Sequence, residues 1–256
     1  MILSASSVML FLNSNIKGLP MKVSEDMAAR LTDEEVDSIK RWARTKNGKD
    51  EKDKEIISSK MLDDGGIEYE TKSFGRLKGD LGGIYQEKNT NTILCAAKVL
   101  ANNRIRINIE CIKDGLENVS KATGLQGRWQ KIQDNPTVIC DTGHNVGGWK
   151  YLSKQLQMQK CEHMRIVFGM VDDKDIETVM EMLPQKALYY FAQANTKRAI
   201  HANKIMKIGT RLNLNATCYP DVKTAYQQAM SEAGKNDFIF IGGSSYIVAD
   251  FLNDLL

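Results

Sequence analysis

The chain is poor in histidine and proline and has no paired cysteines, and each shortage removes a class of function. His144, His163 and His201 are the only histidines in 256 residues. No two of them stand at metal-ligand spacing on a helix, which argues against a zinc site. The cysteines, at 95, 111, 140, 161 and 218, form no Cys-x-x-Cys pair. An odd number of thiols scattered through apolar or helical runs reads as reduced cysteine in a reducing compartment, so a cytoplasmic location is expected. Four prolines argue against a fibrous or disordered chain. No Gly-x-Gly-x-x-Gly follows any strand-like run, which disfavours a dinucleotide-binding dehydrogenase. The apolar run Val8–Leu12 is far below membrane length and has no basic stretch before it. Neither a secretory signal nor a membrane span is expected. Basic and acidic totals nearly cancel, 35 against 32, which gives no support to a nucleic-acid partner.

What remains is a chain that is 42% hydrophobic, enough for one large or two small domains with real cores. Residues 1–60 hold an amphipathic helix over Glu25–Ala43, with Met27, Leu31, Val36, Ile39 and Trp42 at helical spacing, followed by a charged linker over 44–55. In residues 61–120, Gly65–Thr71 alternates like a short strand. Ile93–Leu100 has the apolar density of a core helix, and a further helix over Asn108–Ser120 places Ile109, Ile112, Leu116 and Val119 on one face. Lys121–Gly127 reads as a hinge or linker.

From Thr137 onward strands and helices alternate. The strand candidates are Val138–Cys140, Arg165–Phe168, Ala187–Phe191, Ala216–Tyr219 and Phe238–Ile241. Each link between them is long enough for a crossover, so the expected class is α/β: a mostly parallel, Rossmann-like sheet with helices on both faces. Ligands of such sheets bind at the carboxyl ends of the strands, and Gly143, Gly169 and Gly242 follow three of them.

The residues suited to chemistry gather at those ends. Asp141 closes the first strand of the alternating region, Asn145 is placed to cap the next helix, and His144 is left exposed on the turn. Gly143, Gly147 and Gly148 allow close backbone approach at a helix N-terminus, a setting that favours anions. Arg128 has donors for a phosphate or carboxylate, with a surface salt bridge as its ordinary fate. Gly242–Tyr246 opens the last helix, with Ser244 as either an anion ligand or a plain cap. Gly169–Asp175 leaves a strand and starts a helix with acidic residues that suit its dipole, which reads as a cap rather than a cation site.

Five motifs in order carry a family resemblance: Leu81–Thr92 (Leu-Gly-Gly-Ile-Tyr-Gln-Glu-Lys-Asn-Thr-Asn-Thr), Gly127–Gln130 (Gly-Arg-Trp-Gln), Asp141–Asn145 (Asp-Thr-Gly-His-Asn), Phe168–Asp175 and Gly243–Tyr246. Together, over about residues 61–256, they resemble the second half of folylpolyglutamate synthase, often bifunctional with dihydrofolate synthase, in the Mur ligase family. The resemblance implies a Mur ligase C-terminal domain at about 121–256, an end piece of the central ATPase domain at 61–120, and nothing matched over 1–60. It implies a reaction in which ATP, with magnesium, phosphorylates a carboxylate of folate or dihydropteroate, and the amine of glutamate displaces the acyl phosphate. By motif, Asn89, Arg128 and Asp141 match nucleotide-contacting positions, and His144 and Ser244 match positions near the glutamate end of the cleft. No catalytic residue and no metal ligand is assigned within the chain.

The sequence departs from the family pattern in small ways and one large one. Gln126 stands for the usual proline, and Asp-Thr-Gly-His-Asn for the usual Asp-Gly-Ala-His-Asn. The glycine-rich phosphate loop is missing: Gly48-Lys49 is followed by Asp50, and Gly234-Lys235 by Asn236. Without that loop's N–H cradle, lysine and hydroxyl a triphosphate loses most of its grip. Two readings follow. In one, the chain is part of a folylpolyglutamate synthase, inactive alone and completed by a separate N-terminal ATPase half. In the other, it is a non-catalytic α/β domain that binds a nucleotide or a partner.

Overall fold

The computed structural model describes residues 54–102, 108–172 and 175–254. The expected helix at 25–43 and all but the last two residues of the expected linker at 44–55 lie outside the described residues. The described residues form two compact units, divided between Leu125 and Gln126.

The first unit is an antiparallel sheet of β1 (Ile56–Met61), β2 (Ile67–Thr71) and β3 (Gly75–Gly79), with α1 (Gln86–Asn102), α2 (Ile109–Glu117) and α3 (Val119–Thr123). Ile56, Tyr69, Leu77, Leu94 and Leu116 form its core. Only β2 has a legible alternation. β1 buries one residue of six and β3 only Leu77 and Gly79, so neither has an apolar pattern to read. The expected helix over 108–120 is two helices, because Asn118 leaves helical geometry at φ −125° and ψ 27°. Its side chain donates to the Asp114 carbonyl at 3.1 Å alongside its own N–H on the same oxygen, a local bond of the kind that makes Asn weak in helix interiors.

The second unit is a six-stranded sheet ordered β4-β5-β9-β6-β7-β8. Its strands are β4 (Gln130–Asp134), β5 (Thr137–Asp141), β6 (Met164–Phe168), β7 (Leu188–Phe191), β8 (Asn215–Cys218) and β9 (Phe238–Gly242). All five expected strands form and pair in parallel. β4 is the addition: an antiparallel edge strand, bulged at Ile132, whose polar sequence gives no strand signal. The crossovers are α4 (Val146–Gln157), α5 (Ile176–Glu181), α6 (Ala202–Arg211) and α7 (Val222–Ser231), and α8 (Ser245–Asn253) follows β9.

Strand alternation sorts the core into two layers. Val138, Cys140, Val167, Tyr190, Ile239 and Ile241 pack with Val222, Ala225, Ala229, Ile247, Val248 and Phe251 from α7 and α8. Intervening strand residues are largely aromatic, and Trp149 of α4 meets Phe168 and Phe240 edge-on at 5.6 and 6.0 Å. The central strand β9 is buried at all five positions, as expected of a parallel strand covered on both faces.

A charged cluster is built into the amino ends of the strands. Arg165 Nε meets Asp237 Oδ2 at 3.1 Å, Nη1 meets the Tyr190 hydroxyl at 2.6 Å and Glu232 Oε2 at 3.1 Å, and Nη2 donates to the Glu232 carbonyl at 2.6 Å. Tyr190 donates to Glu232, and burial followed by this bond pushes its pKa up to about 12. Burial works to raise the Asp237 pKa, but the Gly234 N–H, the Arg165 guanidinium and the His163 N–H outweigh it and hold the carboxyl below its usual range.

At the opposite ends, Gly169 and Gly243 let three loops meet. A Cβ on Gly169 would stand 2.3 Å from the Ala192 carbonyl oxygen, and one on Gly243, at φ +104°, 2.4 Å from that of Gly169.

Two predictions follow from this framework. Gly243→Ala should destabilise the second unit by about 2 kcal/mol or more, read as a lower urea midpoint, because backbone must move as well as adopt a disfavoured φ. Asp237 is deprotonated to lower pH folded than unfolded, so its contribution is present above the unfolded carboxylate pKa and is lost as pH falls through the folded value. Urea midpoints taken from about pH 5 down to about pH 2 should therefore fall more steeply for the native chain than for Asp237→Asn.

Candidate functional site

The first corner of the second unit is laced together by a carboxylate. Asp141 ends β5 and is 1% exposed. Its Oδ2 accepts the Trp129 N–H at 2.8 Å and its Oδ1 the Gly143 N–H at 2.7 Å. Both oxygens thus serve backbone on either side of the corner, as a buried carboxylate requires. Trp129 takes the left-handed conformation, φ 47°, and its ring stacks on Phe238 at 6.2 Å and lies against Phe240 at 5.9 Å. The burial of that ring offsets the backbone strain.

Arg128 sits between these anchors. It is half-buried, and its Nη1 donates to Thr142 Oγ1 at 2.8 Å. Thr142 donates its N–H and its hydroxyl to the Gly127 carbonyl, at 2.9 and 3.1 Å. Gly127, at φ +69°, has no room for a side chain: a Cβ would stand 2.7 Å from Thr142 Cγ2 and 2.9 Å from Val248 Cγ1. The surface salt bridge that is an arginine's ordinary fate is not seen among the described residues. No carboxylate pairs with Arg128 among the described residues.

The turn into α4 is equally constrained. Asn145 caps the helix as expected, accepting from the Gly148 N–H at 2.8 Å. His144 is half-buried rather than exposed, because its Nδ1 lies 3.0 Å from the Thr142 carbonyl. A carbonyl only accepts, so Nδ1 bears the proton and the neutral ring keeps Nε2 as its acceptor. The Trp149 indole donates to the Gly143 carbonyl at 3.2 Å. The three glycines differ in purpose. Gly143 is a packing glycine, where a Cβ would stand 2.3 Å from Leu152 Cδ1, whereas a Cβ on Gly147 or Gly148 would come no nearer than 3.3 Å to any atom beyond its chain neighbours and the local helix backbone.

Ser244 leaves the adjacent strand, since Gly242 pairs with Asp141 in the parallel ladder. It is 1% exposed and caps α8, accepting from the Ile247 N–H at 3.2 Å. Gly242 is the last residue of β9 rather than a residue beyond it. Asp175 caps α5 by accepting from the Thr178 N–H, while Asp173 and Lys174 lie outside the described residues. Asn89 belongs to the first unit, on the first turn of α1, where its Nδ2 donates to Gln86 Oε1 at 2.9 Å. Arg128, Asp141 and His144 therefore share one corner of the second unit, and Ser244 stands two residues beyond the neighbouring strand, at the cap of α8.

Thr142 is the residue that sequence reasoning missed, and only its place beside Asp141 pointed to it. Cys140 is no nucleophile: burial, reinforced by the Asp141 charge, pushes its thiol up to about 12. Among the described residues no group of three His, Cys, Asp or Glu side chains is arranged to hold a metal ion, and no helix is long and apolar enough to cross a membrane.

Comparison with known proteins agrees with this geometry. Residues 127–245 match the family model of the Mur ligase glutamate ligase domain. The dihydrofolate synthase/folylpolyglutamate synthase of Buchnera aphidicola subsp. Schizaphis graminum is 28% identical over 167 residues, 64% of this chain and 38% of the relative. Among solved structures, Escherichia coli FolC in complex with DHPP and ADP is 25% identical, with a TM-score of 0.60 over 77% of this chain and 45% of that one. The bifunctional folylpolyglutamate synthase/dihydrofolate synthase of Yersinia pestis, complexed with AMPPNP and Mn ion, is 27% identical, with a TM-score of 0.58 over 78% and 46%. The chain spans less than half the length of these relatives. The glutamate ligase domain of Mur ligases is thus matched from the Gly127 corner to the first residue of α8, and the C-terminal part of the chain is similar to folylpolyglutamate synthase/dihydrofolate synthases.

Proposed function

We propose that the chain is the C-terminal part of an ATP-dependent ligase that adds glutamate to folate, with dihydropteroate as the alternative acceptor. The observation that carries this reading is Arg128: a half-buried guanidinium, anchored at one nitrogen and without a carboxylate partner among the described residues. Such a group is made to meet an anion that the protein does not itself supply. ATP supplies the phosphoryl group that activates the acceptor carboxylate, and the glutamate amine then displaces phosphate to form the amide.

Within this chain the roles divide by chemistry. Arg128 donates to phosphate oxygens, where charge builds as the phosphoryl group moves. Asn89 is the nucleotide contact of the first unit. Asp141 matches a nucleotide-contacting position by motif, and its two backbone bonds make support of the Arg128 corner its first task. His144, with Nε2 as acceptor, suits the glutamate ammonium or amine, and Ser244 offers a hydroxyl proton to a carboxylate beside the N-terminus of α8. Magnesium ligands are not assigned to the described residues. A separate N-terminal ATPase half would have to bring the phosphate loop that the sequence lacks, so the chain alone is inactive in this reading.

The missing loop also favours a second reading, a non-catalytic module that binds a nucleotide or a partner. Mixing the full chain with a separately made N-terminal half of a related ligase should restore ATP hydrolysis that depends on both folate and glutamate. Hydrolysis that stays at background would sink the ligase reading, and an absence of any calorimetric signal with an ATP analogue would sink nucleotide binding in the second. In the reconstituted enzyme, Arg128→Ala should cost about 2 kcal/mol in turnover, roughly thirtyfold, with an unchanged urea midpoint; native turnover in that variant would remove Arg128 from the site.

A further inference from the structure

Arg128 has a support that the assigned roles do not explain. A free arginine side chain samples many rotamers, and an anion that binds it must first immobilise it. Here the guanidinium is already tied, and the tie is chemically complete. The Thr142 hydroxyl has one proton, which it gives to the Gly127 carbonyl at 3.1 Å, and it receives the Arg128 Nη1 proton at 2.8 Å. The oxygen that holds Arg128 is therefore itself held by the residue before Arg128. Its rotamer is further limited by Cγ2, which lies against the bare Cα of Gly127. The backbone beneath is fixed by the Thr142 N–H on the same carbonyl and by Asp141 on the Trp129 and Gly143 amides.

We propose that Thr142 is a positioning residue: its hydroxyl holds the Arg128 guanidinium in its working orientation before any anion arrives, leaving the other N–H groups to face the ligand. The inference rests on the reading of Arg128 as a phosphate contact. Thr142 stands where the family pattern quoted above has glycine, so this support is particular to a side chain at that position. Valine has the shape of threonine without the hydroxyl, and serine has the hydroxyl without the methyl, which separates orientation from packing.

The full chain and its Thr142→Val, Thr142→Ser, Arg128→Ala and Thr142→Val/Arg128→Ala variants are titrated with AMPPNP by calorimetry, and the Arg128 guanidinium is followed by nitrogen-15 NMR. Thr142→Val should weaken AMPPNP about tenfold, Thr142→Ser should restore most of the affinity, and Thr142→Val should add nothing once Arg128 is alanine. The guanidinium signal should shift and average in Thr142→Val but not in Thr142→Ser. The proposal is overturned if Thr142→Val binds like the native chain, if its loss persists in the Arg128→Ala background, or if the guanidinium signal is unchanged. A native chain that binds no AMPPNP overturns the nucleotide reading instead, and the guanidinium signal alone then decides whether Thr142 positions Arg128.

Discussion

The Asp141 carboxylate accepts one backbone N–H from the entry to the second unit, at Trp129, and one from the turn beyond β5, at Gly143. A carboxylate this deeply buried is costly unless each oxygen is satisfied, and the chain satisfies it with the nearby Gly143 amide and with that of Trp129, brought back from the entry to the unit. That requirement forces Trp129 into its left-handed conformation, places the indole on the aromatic layer of β9, and starts β4 as an antiparallel edge. Arg128 is presented from the residue just before Trp129, next to the Gly127 carbonyl that Thr142 holds. The site at this corner is thus a consequence of how one buried charge is neutralised.

The sheet has a buried or half-buried arginine at each end, and the contrast between them separates stability from function. Arg165, at the amino ends, meets two carboxylates, a carbonyl and a phenol, so its charge is answered within the fold. Arg128, at the carboxyl ends, meets a hydroxyl, so among the described residues its charge is oriented but not answered. The same polarity appears in the glycines. Gly169 and Gly243 let loop backbones pack directly on one another, which closes the carboxyl edge without side chains and keeps it narrow and rigid.

Legibility from sequence followed the strength of local pattern. β5, β6, β7 and β9 were readable because parallel strands covered on both faces are short continuous apolar runs, whereas the edge strand β8, with no fully buried residue, was placed by the regular alternation of strands and helices. β4 was not readable, because Gln130–Asp134 is an edge strand with one apolar residue; β3 was hidden for the same reason, and β1 because Ile57 and Met61 are exposed and its apolar residues do not alternate. The break at Asn118 escaped because apolar spacing runs straight through it from Ile112 to Val119, while the break itself is a local departure from helical φ and ψ. Asn145, Asp175 and Ser244 were recognisable as caps, since capping is decided by residues three apart in sequence. His144 was placed too far into solvent, because the bond that turns it back is to a carbonyl two residues away and has no sequence signature.

The sequence by itself determined the α/β class, the five parallel strands and the ordered motifs that mark the ligase family, because each depends on local periodicity or on residue identity. It also showed that the phosphate loop is not among these residues. Only the tertiary structure decided what the motif residues do: that Asp141 is occupied in bracing the backbone, that Gly143 serves packing while Gly147 and Gly148 stay open, and that Thr142 holds Arg128. Those roles depend on hydrogen bonds between segments that meet only when β5 and the Gly127 corner close on one another, and no spacing along the chain encodes that approach.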